Sequence, residues 1–267
     1  MAPRILIHKL THHEDFDRLL PIQRAVWGHS ETDLTPAHQF CVHSRMGAIL
    51  LGAFVDGTLA GFVYSFPALH NGIRTHHSHL LAVLPEYQGM GLGKRLKKAQ
   101  RLEALKQGVS LITWTYDPMQ ARNANLNLHS LRVRSRTYFP NFYGNVSSLC
   151  LGPGLPTDRL LVEWRIRAGA RPGKGRPVTQ IDGLPAALER GKGENDGFPL
   201  PARPKLGLKG RRVLVEIPPD VNGLKSRPEA LAAWQAGLRR VMPDYFARGY
   251  VAVDFIFGER SFYVLER

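Results

Sequence analysis

Two hydrophobic rhythms alternate along the chain, and each marks its own kind of element. Residues 5–10 (ILIHKL) read as a short first strand. Across residues 12–27, Phe16, Leu19, Leu20, Ala25 and Trp27 recur at near-helical spacing, and Asp15 and Asp17 sit in the first turn, where the helix dipole favours negative charge. Pro21 has no N–H for the helix ladder, so a kink or a division is expected there. Residues 31–46 are polar and irregular, with a short helix expected after Pro36. Two β-rich runs, ILLGAFV and LAGFVYSF, then flank Asp56-Gly57, a hairpin turn signal, and Asn71-Gly72 marks a second turn. Residues 80–84 read as a buried strand halted by Pro85. From Leu92 the period becomes helical, with Leu96, Ala99, Leu102 and Leu105 on one side and Lys and Arg on the other.

The second half repeats the alternation of types. Residues 109–116 (VSLITWTY) are a buried strand stopped at Asp117-Pro118, residues 122–136 a helix candidate, and residues 159–167 (RLLVEWRIR) the last core strand. Gly, Pro, Arg and Lys dominate residues 168–210, which read as a linker or a long surface excursion, part of it disordered. Order resumes with the strand RRVLVEIP. A helix over residues 229–246 carries Leu231, Trp234, Leu238 and Val241 on one face, and strands follow over residues 250–257 and 261–265. The expected organisation is a core domain over residues 1–167, a linker over 168–210 and a β-α-β-β subdomain over 211–267.

Gly89, Gly91 and Gly93 fall where a strand hands over to a helix. Such a turn leaves backbone N–H groups pointing outward along the helix axis, and without side chains in the way they close around a phosphate. Lys94 and Arg95 add positive charge at once. The spacing G-x-G-x-G matches neither the dinucleotide fingerprint G-x-G-x-x-G nor the Walker loop, because Lys94 is followed by Arg95. The bland alternative is an ordinary glycine-rich turn.

A strand, then Leu-Ala-Val-x-Pro-Glu-Tyr, then Gln88-x-x-Gly91-x-Gly93 and a basic helix resembles the acyl-CoA-binding motif of the GNAT (Gcn5-related) N-acetyltransferase superfamily. The resemblance implies an α/β fold of α+β type: a central mixed, mostly antiparallel sheet flanked by helices. In it the strand over residues 109–116 lies parallel to the strand ending at Val83, and the two splay to admit the pantetheine arm. It implies cofactor contacts from Leu81, Ala82, Val83, Gln88, Gly89, Met90, Gly91, Leu92, Gly93 and Lys94. Members usually carry an Asn early in the following helix, a role for which Asn123, Asn125 and Asn127 compete. Asn127 is preferred, and a simple N-cap is its alternative. They also carry a Tyr beside the thioester sulfur, but Leu128 and His129 stand about where it is expected. Tyr138 is the substitute general acid proposed from sequence, with Tyr143 as its rival. The early helices would border the acceptor pocket.

Acyl transfer to an amine needs a base, because an alkylammonium with a pKa of ~10.4 cannot attack. It also needs a fixed donor for the negative charge that builds on the thioester oxygen. Strand alternation puts His77 and His79 on the face of Leu81, with His76, Ser78 and Leu80 on the other. A neutral imidazole, with a reference pKa of ~6.5, takes a proton directly or through water. His77-x-His79-x-Leu81-Ala82-Val83 also resembles the arylalkylamine N-acetyltransferases, where two histidines at this spacing work through a water relay. Packing is the structural alternative for this pair, and Glu86 is a weaker candidate base. No Cys or Ser stands with a partner as a nucleophile, so direct transfer in a ternary complex is expected.

Composition adjusts this picture in three ways. The two cysteines, Cys41 and Cys150, lie far apart in sequence; no disulfide framework is expected, and a reducing cytoplasm is the better reading. No signal peptide or membrane-length apolar run is seen. The net charge of +14 admits a nucleic-acid-binding protein, but no zinc-finger or RNA-recognition pattern accompanies it, and a solvated basic surface is favoured. The His cluster lacks a carboxylate or cysteine nearby, so no metal is expected. The longer pattern through LNLHSLRVRSRTYFPNFYG resembles a bacterial branch of predicted acetyltransferases, some associated with N-acylamino-acid racemases. That implies an amino acid or other small-molecule amine as acceptor, and acetyl-CoA or succinyl-CoA as donor. Peptide amines and aminoglycosides, a homodimer, and a non-catalytic CoA-binding module stay open.

Overall fold

The computed structural model describes residues 3–28, 31–144, 155–166, 178, 181–191 and 200–267. The chain divides into two compact units, Met1–Trp114 with Trp164–Ala170, and Thr115–Glu163 with Arg171–Arg267. This division cuts inside the region expected as one core domain, rather than at residue 167. Cys150 and most of residues 168–180 lie outside the described residues.

In the first unit, β1 (Ile5–Lys9), β2 (Ile49–Val55), β3 (Thr58–His70) and β4 (Ile73–Val83) pair antiparallel in that order. Both turn signals hold. Asp56 and Gly57 have φ of 48° and 86°, and Asn71 and Gly72 have 49° and 75°, the left-handed pairs of tight hairpins whose twist matches the strands. Pro21 divides the first helix as expected: α1 (His13–Asp17) stops, and α2 (Leu19–Trp27) restarts with Pro21 in its first turn, where no N–H is needed. With α3 (Ala37–Arg45), α1 and α2 enclose a core of Phe16, Leu19, Ile22, Phe40, Phe62 and Tyr64. The other sheet face carries α4 (Leu92–Lys106). After it, β5 (Leu111–Tyr116) joins β4 in parallel.

Where β3 crosses β4, Gly61 is required by space. A Cβ there would stand 2.4 Å from the Ala82 carbonyl oxygen, which is backbone and cannot swing away. Gly61→Ala is expected to push the strands apart and lower stability by roughly 1–3 kcal/mol. Denaturant midpoints of the two proteins check this; an unchanged midpoint would show that the strands can part there at no cost.

The second unit has its own mostly antiparallel arrangement. β7 (Arg159–Arg165) pairs β6 (Arg134–Phe139), β6 pairs β10 (Val251–Ile256), β10 pairs β11 (Ser261–Glu266), and β11 pairs β9 (Arg212–Ile217). β8 (Ala186–Leu188) runs parallel to β9 at the edge. Ala187 and Leu188 are buried, so part of the stretch read as linker belongs to this packing. The tail has the expected strand-helix-strand-strand order, with α6 (Pro228–Ala247) burying Leu231, Trp234, Leu238 and Val241. The helix expected over residues 122–136 is shorter. α5 (Ala121–Ala124) widens into a π-helical turn at Asn125–Ser130 and gives way to β6. Among the described residues no helix is long and apolar enough to cross a membrane.

Candidate functional site

The glycine turn has the geometry its spacing suggests. After β4, Pro85–Tyr87 makes a single 3-10 turn, and the Gln88 side-chain amide donates to the Val83 carbonyl at 3.2 Å, closing the end of the strand. Gly89 and Gly91 have φ of 83° and 74°, where an L side chain would be strained. Gly91 caps α4, and no side chain caps the helix. Its carbonyl accepts from Arg95 N–H at 3.1 Å, so the N–H groups of Leu92, Gly93 and Lys94 precede the first rung of the ladder. A Cβ at Gly89 or Gly91 would meet nothing within 4 Å, which leaves the approach to these donors open. A phosphate group fits this donor set.

β4 is freed on its other edge. Its parallel ladder with β5 consists of His76↔Ile112 and His77↔Thr113, and among the described residues no strand pairs with residues 78–83 on that side. Alternate N–H and C=O groups over residues 81–83 are therefore placed to pair with amides. Against β3 the register slips between Tyr64↔Leu80 and Ser65↔Ser78, which makes His79 the bulged residue. His77 and His79 nevertheless share surroundings: the Phe66 ring lies 5.7 Å from His77 and 6.0 Å from His79, centroid to centroid. The Thr113 hydroxyl is 3.2 Å from His77 Nδ1. Burial, and then repulsion from His79, Lys97 and His70, push the His77 pKa down to about 4. His76 and Ser78 face the other way as expected, with His76 buried between Ser65 and Gln107, but Leu80 does not: the bulge at His79 turns it to the face of Tyr64, where it packs in the Phe16 and Phe40 core.

Residues 13–130, from α1 to the end of the π-helical turn, match the family model of the acetyltransferase (GNAT) family. This segment is a GNAT acetyltransferase domain. Two solved structures share its fold. A proposed acetyltransferase of Acinetobacter baylyi ADP1 is 14% identical, with a TM-score of 0.52 over 65% of this chain and 100% of its own. An acetyltransferase of the GNAT family from Streptococcus pneumoniae is 16% identical, with a TM-score of 0.50 over 61% of this chain and 100% of its own. No curated protein matches the chain.

Two site residues expected from the GNAT resemblance lie in the second unit. Asn127 is buried in the π-helical turn, and its carbonyl accepts from Val133 N–H at 3.2 Å, so it does not sit at an N-cap. The Tyr138 hydroxyl donates to Asp158 Oδ2 at 2.5 Å, and Arg239 holds both carboxylate oxygens of Asp158 at 2.6 and 2.7 Å. Burial and this hydrogen bond push the Tyr138 pKa up. A hydroxyl so committed makes a poor proton donor to a substrate, and the role expected for Tyr138 does not fit. The Tyr143 hydroxyl has the weaker tie, 3.3 Å from Thr115 Oγ1.

Sequence reasoning missed two features of the GNAT domain. On the histidine face, His43 of α3 stacks on Tyr64 with centroids 5.8 Å apart and shares a hydrogen bond with its hydroxyl. Tyr64 also meets the edge of His79 at 6.0 Å. Residues 31–46 gave no periodicity to reveal this. On the opposite face, α4 is turned from the expected orientation. It buries Leu92, Leu96, Lys97, Gln100 and Ala104, while Leu102 is exposed. A count by fours from Leu92 finds this face; a count by threes from Leu96 leads away from it.

Proposed function

We propose that the GNAT domain moves an acyl group from an acyl-CoA to a primary amine by direct transfer. The observation that carries this is the Gly91-capped start of α4 at the end of a strand whose edge is released beyond His77. The N–H groups of Leu92, Gly93 and Lys94 would hold the pyrophosphate, with Gly89 and Gly91 keeping the approach clear and Gln88 and Met90 shaping the turn. The free edge from Leu81 through Val83 would pair with the pantetheine amides and offer an N–H to the thioester oxygen. Asn127 is retained as a further cofactor contact on the resemblance alone. Acyl-CoA supplies an acyl group already activated as a thioester.

His77 and His79 prepare the acceptor. His77, neutral at physiological pH, takes the amine proton through water, and its low basicity means the proton does not stay. The exposed His79 beside it is the exit to solvent. The walls on this face are aromatic, Tyr64 and Phe66, with His43 behind. These walls favour a small amine with an apolar body, an amino acid among them. The basic surface of the chain is assigned no nucleic acid, and residence in the cytoplasm is proposed on cysteine usage alone.

The test is thiol release from acetyl-CoA and from succinyl-CoA in the presence of phenethylamine, L-phenylalanine, L-lysine and an alanine-terminated peptide. Amine-dependent release with either donor is expected, stronger for the aromatic amines. CoA binding with no release for any amine would favour a non-catalytic CoA-binding module, the reading that the misfit of Tyr138 supports.

A further inference from the structure

With Tyr138 committed to Asp158, the domain needs another proton for the departing thiolate. Just beyond the last rung of the β4–β5 ladder, on the α4 face, three buried polar side chains close on one another. Lys97 Nζ donates to Ser78 Oγ at 3.0 Å and to Gln100 Oε1 at 2.9 Å, and it lies 3.5 Å from the centroid of the Trp114 ring. Gln100 Nε2 donates to the same Ser78 oxygen at 3.0 Å. Lys97 and Gln100 are almost fully buried, and Ser78 is 6% exposed. No carboxylate pairs with Lys97 among the described residues, although a buried charge is ordinarily paired.

The donor count is informative. Ammonium has three protons, and here they have three recipients: a hydroxyl oxygen, an amide oxygen and an indole face. While Lys97 carries its proton, Ser78 Oγ accepts two hydrogen bonds, which uses both lone pairs, so its own O–H points to a further acceptor. Among the described residues none takes it. The orphaned donor belongs to the first β4 residue past the ladder, where the strand edge is released. A donor held at the Gly91 cradle and running along that edge towards the ladder would bring its thioester end towards this point.

We propose that Ser78 donates this proton to the departing sulfur of CoA and that Lys97 replaces it. As the C–S bond breaks, its electron pair goes to sulfur. The Ser78 proton moves to sulfur, a Lys97 proton moves to Ser78 Oγ, and Lys97 is left as a neutral amine until solvent reprotonates it. The amine's proton leaves separately by His77. This rests on the acyl-CoA reading of the site. Burial pushes the Lys97 pKa well down. That direction suits the task, since an ordinary ammonium near ~10.4 is a weak acid towards a thiolate near ~8.5. Across β4, His77 and the ammonium repel one another when both are charged, and the other titratable groups on the His77 face are His79, Tyr64 and His43.

The test is a titration of the CoA thiol bound to the full-length protein, followed by thiolate absorbance. It needs no acceptor and no turnover. The bound thiol is expected to titrate about one unit or more below free CoA, and Ser78→Ala and Lys97→Met to return it to the free value. Methionine nearly matches the lysine stem and removes a buried charge, so that variant should fold; if it does not, Ser78→Ala decides alone. A thiol that binds but titrates like free CoA in all three proteins would overturn the relay and leave the cradle standing. Absence of CoA binding would overturn the acyl-CoA reading and the relay with it. Acyl transfer to Ser78, seen as an acetyl adduct by mass spectrometry after acetyl-CoA treatment, would also overturn it by making Ser78 the nucleophile.

Discussion

Gly91→Glu is expected to lower acyl-CoA affinity by about a hundredfold or more, close to 2.7 kcal/mol, without unfolding the protein. Two effects add. Gly91 sits at φ 74°, a conformation costing an L residue roughly 1–2 kcal/mol. The new carboxylate would also stand at the mouth of the N–H groups that would hold the pyrophosphate, and its charge repels the phosphates. Neither effect reaches the core, since a Cβ there meets nothing within 4 Å. Gly91→Ala separates the two, as it carries the backbone strain without the charge. It should lose about 1 kcal/mol of stability and far less affinity. Retention of full affinity by the glutamate variant would mean the turn holds no phosphate.

Replacing His77 and His79 together by alanine is expected to lower kcat by about 10²–10⁴ and leave CoA affinity unchanged, because the cradle lies at the other end of the free edge. The pH dependence distinguishes the two imidazoles. With a pKa of about 4, His77 is in its proton-accepting form throughout the neutral range and loses it only as pH falls through about 4. Between pH 5 and 8 the wild-type kcat/KM should therefore rise with the fraction of unprotonated amine, with no break from His77. A break within that range that disappears in His79→Ala but persists in His77→Ala would assign the base to His79. An unchanged kcat in the double variant would leave the pair a packing role around Phe66.

Much of the first unit was legible because its signals are local. Asp56-Gly57 and Asn71-Gly72 specify turns that only left-handed conformations can make, and Pro21 can only divide or begin a helix. The Gly89–Gly93 turn was legible for the same reason, since backbone conformation, not a distant contact, dictates glycine there. What escaped depends on partners far apart in sequence. Tyr138 reads as a free hydroxyl until Asp158 and Arg239 are brought to it. Lys97 reads as one more surface base until Ser78 and Trp114 enclose it, because nothing local distinguishes a buried lysine from its solvated neighbours Lys94 and Lys98. His43 and Tyr64 meet across 21 residues, in a stretch with no period to follow. The π-helical widening at Asn125–Ser130 likewise has no sequence rule behind it, and it shortened the helix expected there.

Calorimetric titration of the purified protein with acetyl-CoA, succinyl-CoA and free CoA tests the cradle before any acceptor is known. Micromolar binding to at least one of the three is predicted, lost in Gly91→Glu, and a preference among them would identify the donor. No heat of binding with any of the three, from a protein that melts cooperatively, would contradict the assignment of the Gly89–Gly93 turn and the free edge of β4 to acyl-CoA.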